Sequence, residues 1–130
     1  MIEHGHYTIS VQGNMIVSKF FGAWNLEQAQ AYADHVQKIS TSLLAKPWAR
    51  VVDLSEWEGG GHEVVEPLKV LHLWAAQHHC EMVVFVKPAL LPQFMLDKFG
   101  ALYGHYNVFD SVEQATEWVA SELTNLSATK

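Results

Sequence analysis

Two short runs of β-branched and aromatic residues, "WARVVDL" at 48–54 and "EMVVFV" at 81–86, each stand between stretches whose apolar residues recur at helical spacing. No other feature constrains the chain as much. Continuous apolar strands of this kind are covered on both faces. Strands that alternate with helices need crossover connections, which are right-handed and give a mainly parallel sheet.

The flanking segments complete the pattern. "HYTISVQGNMIVSKFFGAW" reads as two strands around Gly13 and Asn14, alternating through Tyr7, Ile9 and Val11 and then Ile16 and Phe20. "NLEQAQAYADHVQKISTSLL" starts with Asn25 as N-cap and Gln28 three residues on, with Leu26, Ala29, Ala33, Val36, Ile39 and Leu43 on one stripe. In "PLKVLHLWAAQHH" Pro67 fits only a first helical turn, and Leu68, Leu71 and Ala75 share a face. "LLPQFMLDKFGALYG" predicts a helix ended by Gly104, and "YNVF" a last short strand. "DSVEQATEWVASELTNL" predicts a closing helix with Asp110 and Glu113 as a capping box and Val112, Ala115, Val119 and Leu123 inward.

The order is β-β-α-β-α-β-α-β-α. The fold class is α/β: a mixed, mainly parallel sheet of about five strands with an N-terminal hairpin and four helices. One domain is expected over residues 2–126, with 127–130 as a frayed tail. Ligands of such sheets sit outside the carboxyl ends of the strands, which directs attention to the loops after Phe21, Leu54, Val86 and Phe109.

Charge excludes one class of partner. With 8 Lys and Arg against 14 Asp and Glu, the net charge of -6 leaves no footprint for nucleic acid or an anionic membrane surface. The single Cys80 allows no internal disulfide, the start "MIEHGHYTIS" lacks the features of a signal peptide, and no apolar run approaches the roughly 20 residues of a membrane span. The expectation is a cytoplasmic protein without an integral membrane segment.

"DLSEWEGGGHEVVEP", residues 53–67, gathers the candidate chemistry. Gly59, Gly60 and Gly61 are followed by His62 and Glu63, where a Walker loop needs Lys then Ser or Thr, and no GxGxxG spacing occurs. The stretch reads as a strand-to-helix turn. A phosphorylated helix start is excluded, since no serine or threonine lies between Ser55 and Ser111. Asp53, Ser55 and His62 have the residue types of a hydrolytic triad without the nucleophile-elbow pattern. Cys80 reads as a small buried hydrophobe. His4, His6, His35, His62, His72, His78, His79 and His105 show no HExxH or CxxC spacing, and His78 and His79 suit a helix C-terminus, so neither metal nor other cofactor is expected.

The remaining signal is apolar. Leu90, Leu91, Phe94, Met95, Leu96, Phe99, Leu102 and Tyr103 wrap around more than half of one helix, a surplus that suits a dimer face or a lipophilic pocket.

"RVVDLSEWEGG", "EMVVFVKP" and "NVFDSVEQATEWV", in that order, resemble the SpoIIAA-like branch of the STAS superfamily, the anti-sigma-factor antagonist fold. In STAS antagonists a Ser or Thr at the start of the helix after the third strand accepts a phosphate that controls binding to an anti-sigma kinase. Here the matching region, Gly59 to Glu63, has no hydroxyl. The branch is also similar in fold to the CRAL-TRIO lipid carriers, which implies a non-polar small ligand.

The leading expectation is a non-catalytic domain that binds a small apolar ligand, with Trp24, Trp57, Phe94 and Met95 as walls and Ser55, His62 and Lys87 orienting a polar head group. The alternative is a homodimeric interaction module, assembled through residues 90–103. A hydrolase built on Asp53, Ser55 and His62 ranks last.

Overall fold

A two-residue turn starts the architecture. In the computed structural model, which describes residues 5–103 and 106–128, Gly13 adopts φ 59° and joins strand β1 (Gly5–Gln12) to β2 (Met15–Trp24). The two pair antiparallel, with Ile9 opposite Ser18 and Tyr7 opposite Phe20. A residue without a Cβ takes that left-handed conformation at least cost. Helix α1 (Leu26–Ile39) then carries the chain to β3 (Trp48–Gly60), and α2 (Val65–Gln77) to β4 (Cys80–Val86). Helix α3 (Gln93–Tyr103) leads to β5 (Asn107–Phe109), and α4 (Val112–Ala128) closes the chain.

The sheet order is β1-β2-β3-β4-β5, and β2 through β5 run parallel. Because every crossover joins neighbouring strands with the same hand, successive helices fall on one face. Residues of α1, α2 and α3 accordingly share a core with Ile16, Phe20, Trp48, Val52, Leu54 and Phe85. Helix α4 alone covers the other face, setting Ala115, Val119 and Leu123 against Ala49, Val51, Val84 and Val86. From Trp48 to Leu54 the even positions of β3 thus face one core and Ala49 and Val51 the other, which explains why both faces are mostly apolar there.

Local chemistry accounts for the helix starts. Asn25 Oδ1 accepts from the Gln28 N–H at 3.1 Å while Gln28 Oε1 accepts from the Asn25 N–H at 2.8 Å, the expected reciprocal cap. At α4 the cap is shifted from the expected Asp110–Glu113 pair: Ser111 Oγ accepts from the Gln114 N–H, and Gln114 Oε1 accepts from the Asp110 N–H. The helix begins one residue later than the pattern suggested, so the side chain at 111 is the one in reach.

Several sequence expectations change. The segment 53–60 is strand, because the long β2 pairs with β3 through Trp24 and Gly60, beyond the end of β4. Register shifts after Lys19 and Gly22 absorb the extra length. Leu26, expected inward, is 49% exposed at the first position of α1, and Val11 is 40% exposed at the hairpin end of an edge strand. The third helix, expected from Leu90, starts at Gln93; it buries Met95 and Phe99, half-buries Leu96, Leu102 and Tyr103 and leaves Phe94 exposed, while in the loop before it Leu91 is half-buried and Leu90 exposed. Helix α4 continues through Ala128, two residues into the segment expected to fray. Gly104, His4 and His105 lie outside the described residues.

Candidate functional site

The carboxyl end of the sheet is filled by aromatic rings. Trp24 ends β2 and Trp57 lies near the end of β3; both are buried, with centroids 5.5 Å apart. Phe20 packs on them at 4.2 and 5.2 Å, and Phe99 of α3 meets Trp57 at 5.6 Å. Such tilted and edge-on contacts are favourable ring geometry inside a close-packed core. The Trp24 indole N–H donates to the Phe21 carbonyl at 3.2 Å, whereas the buried Trp57 Nε1 has no acceptor among the described residues.

Glycines permit this closure at one point above all. Gly59 has φ 82°, and a Cβ there would lie 3.0 Å from Leu91 Cδ2 and 3.1 Å from Met95 Cγ. The start of α3 rests on the backbone of β3 at that place. A Cβ on Gly60 would strike the Trp24 carbonyl and Val64. The glycines serve close backbone approach, and the stretch needs no phosphate to explain it.

The seven residues expected around a ligand therefore divide. Trp24, Trp57 and Met95 belong to the closed core. His62 and Phe94 meet at the surface with ring centroids 5.6 Å apart. Ser55 donates its backbone N–H to Asp53 Oδ1 at 2.9 Å, and Lys87 is exposed beyond β4, its N–H donating to the Phe109 carbonyl at 2.8 Å. Asp53 is buried and sits 3.9 Å from Lys19 Nζ, which pairs with Glu56 at 2.6 Å. No hydrogen bond among the described residues joins the side chains of Asp53, Ser55 and His62.

The histidines have local partners. His35 Nδ1 lies 3.0 Å from the Tyr7 hydroxyl, and His6 stacks on Phe21 at 4.4 Å. His78 bonds the Trp74 carbonyl at 2.7 Å and stacks on that indole. His79 takes φ 74° to turn the chain from α2 into β4, and its carbonyl accepts from the Trp48 N–H. Among the described residues no three His, Cys, Asp or Glu side chains form a metal-binding group.

At the amino end the same core contains a charge that the sequence reading passed over. Arg50 is 2% exposed, between Trp48 and Val52 on the face packed by α1, α2 and α3. Its Nη2 donates to the Tyr32 hydroxyl at 3.1 Å, and that oxygen lies 2.9 Å from Ser18 Oγ. Nε and Nη1 have no hydrogen-bond partner among the described residues. Around it, burial pushes the Cys80 thiol up to about 11 and the Tyr103 phenol up to about 12, so neither is an anion near neutral pH. Burial, and then the Arg50 charge, lower the pKa of His72. The signal in the sequence was a charge at an inward position of an otherwise apolar strand.

No family model matches the chain, and no curated protein matches it. Solved structures do. A protein of the DUF3478 family with a SpoIIAA-like fold, from Shewanella loihica PV-4, superposes with a TM-score of 0.67 at 12% identity, over 92% of this chain and 98% of its own. An anti-sigma factor antagonist from Mycobacterium paratuberculosis superposes with a TM-score of 0.61 at 16% identity, over 89% and 94%. The likeness to lipid carriers rests on the sequence resemblance alone. With five strands in chain order, an antiparallel first pair and three helices on one face, the chain has the SpoIIAA-like fold of the STAS proteins.

Proposed function

We propose that the chain is a non-catalytic, cytoplasmic protein-interaction module that docks an apolar helix of another protein between α1 and α2. One observation carries this reading. Leu26 and Val70 are 49% and 51% exposed on either side of a groove of about 190 Å³, which Ala33, Pro67 and the stems of Gln30 and Gln37 help to line. An apolar floor with a polar rim suits a helix laid in a groove. The anti-sigma factor antagonist that shares the fold is named for action on another protein. Because no Ser or Thr occurs between residues 55 and 111, docking here proceeds without a phosphorylated start to α2.

A photo-crosslinking residue at position 70 in the native host tests the proposal. The expected result is one crosslinked protein that also binds the purified chain and is lost when Leu26→Asp closes the groove to apolar groups. Crosslinking indifferent to Leu26→Asp overturns it. Crosslinks only to a second copy would move the reading to the homodimer, for which the exposed large hydrophobics of the 90–103 segment are Leu90 and Phe94.

A second reading keeps one supporting observation. The unpartnered Trp57 Nε1 would donate to a polar atom of a small apolar ligand held by Trp24, Trp57, Phe94 and Met95, with Ser55, His62 and Lys87 near its head group. A native mass spectrum of freshly purified protein decides it. An adduct of a few hundred daltons, released on activation, favours the ligand; clean apoprotein favours the module.

A further inference from the structure

A guanidinium buried without an anion is the least balanced group in the described structure. Arg50 stays protonated at any pH the fold survives. Its Nη2 bonds the Tyr32 hydroxyl at 3.1 Å and its charge lies 5.7 Å from the Tyr32 ring, with the Tyr103 phenol close by, while Nε and Nη1 each expose under 1 Å² and have no hydrogen-bond partner among the described residues. Burying an uncompensated charge is unfavourable by several kcal/mol, and an apolar residue of similar volume would avoid that cost. A water molecule would supply an acceptor without supplying charge. Tyr103 and Cys80 remain protonated near neutral pH, so neither supplies the anion, and no Asp or Glu among the described residues bonds the guanidinium.

The surroundings show where one would enter. His72 of α2 and Tyr103 of α3 meet edge-on with centroids 4.7 Å apart. Their chain neighbours Leu73 and Leu102 line an open groove of about 250 Å³ between the two helices, together with Val65, Ala101 and two lysines, Lys69 and Lys98. In a chain of net charge -6, that is a cationic, otherwise apolar approach. The His72 and Tyr103 side chains also lie close enough to Arg50 to feel its charge.

We propose that Arg50, with the hydroxyls of Tyr32 and Tyr103, forms a buried site for a single carboxylate group that enters between α2 and α3. A carboxylate matches the planar donors of a guanidinium and carries the one charge that is missing. The two phenols donate to it, which lets Tyr32 keep Ser18 as a partner. Either a free small acid or an acid on an apolar chain would present this group. The site is separate from the α1–α2 groove, so partner docking and carboxylate binding stand or fall independently.

The Arg50 side-chain Nε–H resonance, assigned by its loss in Arg50→Met, reports the site directly. Sodium formate, acetate and octanoate are titrated at constant ionic strength, and thermal midpoints are recorded in parallel. The expected result is a saturable movement of that resonance and a midpoint raised by a few degrees, with the midpoint shift absent in Arg50→Met. Arg50→Met should fold, with a midpoint at or above that of the anion-free wild type. Formate and octanoate acting alike assign a free-ion site. Octanoate acting at far lower concentration, weakened several-fold by Leu73→Glu, assigns an acid with its tail in the groove. An Nε–H resonance unmoved by all three, or a midpoint shift that persists in Arg50→Met, overturns the proposal. So does chloride matching formate, since it would remove the carboxylate assignment.

Discussion

The two ends of the larger core obey different rules although the same sheet face and the same three helices build both. At the carboxyl end Phe20, Trp24, Trp57 and Phe99 interlock as rings, with one orphaned indole N–H. At the amino end Arg50, Tyr32, Ser18, His72, Cys80 and Tyr103 put charge and hydroxyls into the same layer. Dispersion and apolar burial stabilise the first, and its specificity is one of shape. The second depends on hydrogen bonds inside a low dielectric, where each unmet group is costly. The fold thus keeps close aromatic packing at one end and an electrostatic imbalance at the other.

The comparison is most sharply tested at Trp57. Trp57→Ala removes a fully buried indole from the ring cluster and is expected to destabilise by about 3 to 5 kcal/mol, measured by urea unfolding. A loss below about 1 kcal/mol would mean that the carboxyl end is loosely packed and able to admit a ligand.

Tyr32→Phe is the counterpart at the polar end. It keeps the ring against Tyr7 and Phe20 but removes the hydroxyl that accepts from Arg50 Nη2, and about 2 kcal/mol should be lost. A neutral result would show that water or an anion already serves the guanidinium.

Gly59→Ala returns to the aromatic end. Its φ of 82° and the closeness of Leu91 and Met95 predict a loss of about 1 to 2 kcal/mol, with faster hydrogen exchange at the start of α3. No change in exchange would show that the helix does not lean on β3 there.

The smallest effect separates the ends by pH. His72 has its pKa lowered in the folded chain by burial and then by Arg50, so its neutral form is the folded one. Its contribution is fully present above the unfolded value of about 6.5 and is lost as pH falls below it, because the unfolded chain binds the proton first. Urea midpoints followed from neutral to mildly acid pH should fall, and His72→Gln should flatten that fall. The raised Tyr103 and Cys80 act in the opposite direction, contributing below their unfolded values and losing stability as pH rises through about 12 and about 11. An unchanged acid slope in His72→Gln would detach the histidine from the polar cluster.

Element order was legible because it rests on periods. Alternation in Tyr7 and Ile9, the capping pair Asn25 and Gln28, Pro67 in a first turn and the apolar run of β3 are local, and each survives in the fold. The Ser-free start of α2 is likewise a fact of the chain. The site was less legible. Trp24, Trp57 and Met95 were placed at the correct end of the sheet, yet whether rings at that end enclose space or fill it depends on Phe20 and Phe99, which come from elsewhere in the chain. The extent of β3 was misread for a related reason: a strand ends where its neighbour's hydrogen bonds end, and β2 supplies them to Gly60. Arg50 illustrates the limit most clearly. Its inward position follows from alternation with Trp48 and Val52, a property of sequence alone. That no carboxylate among the described residues bonds it, and that the Tyr32 hydroxyl does, was decided by tertiary structure, because Tyr32 reaches it from α1, 18 residues away in the chain.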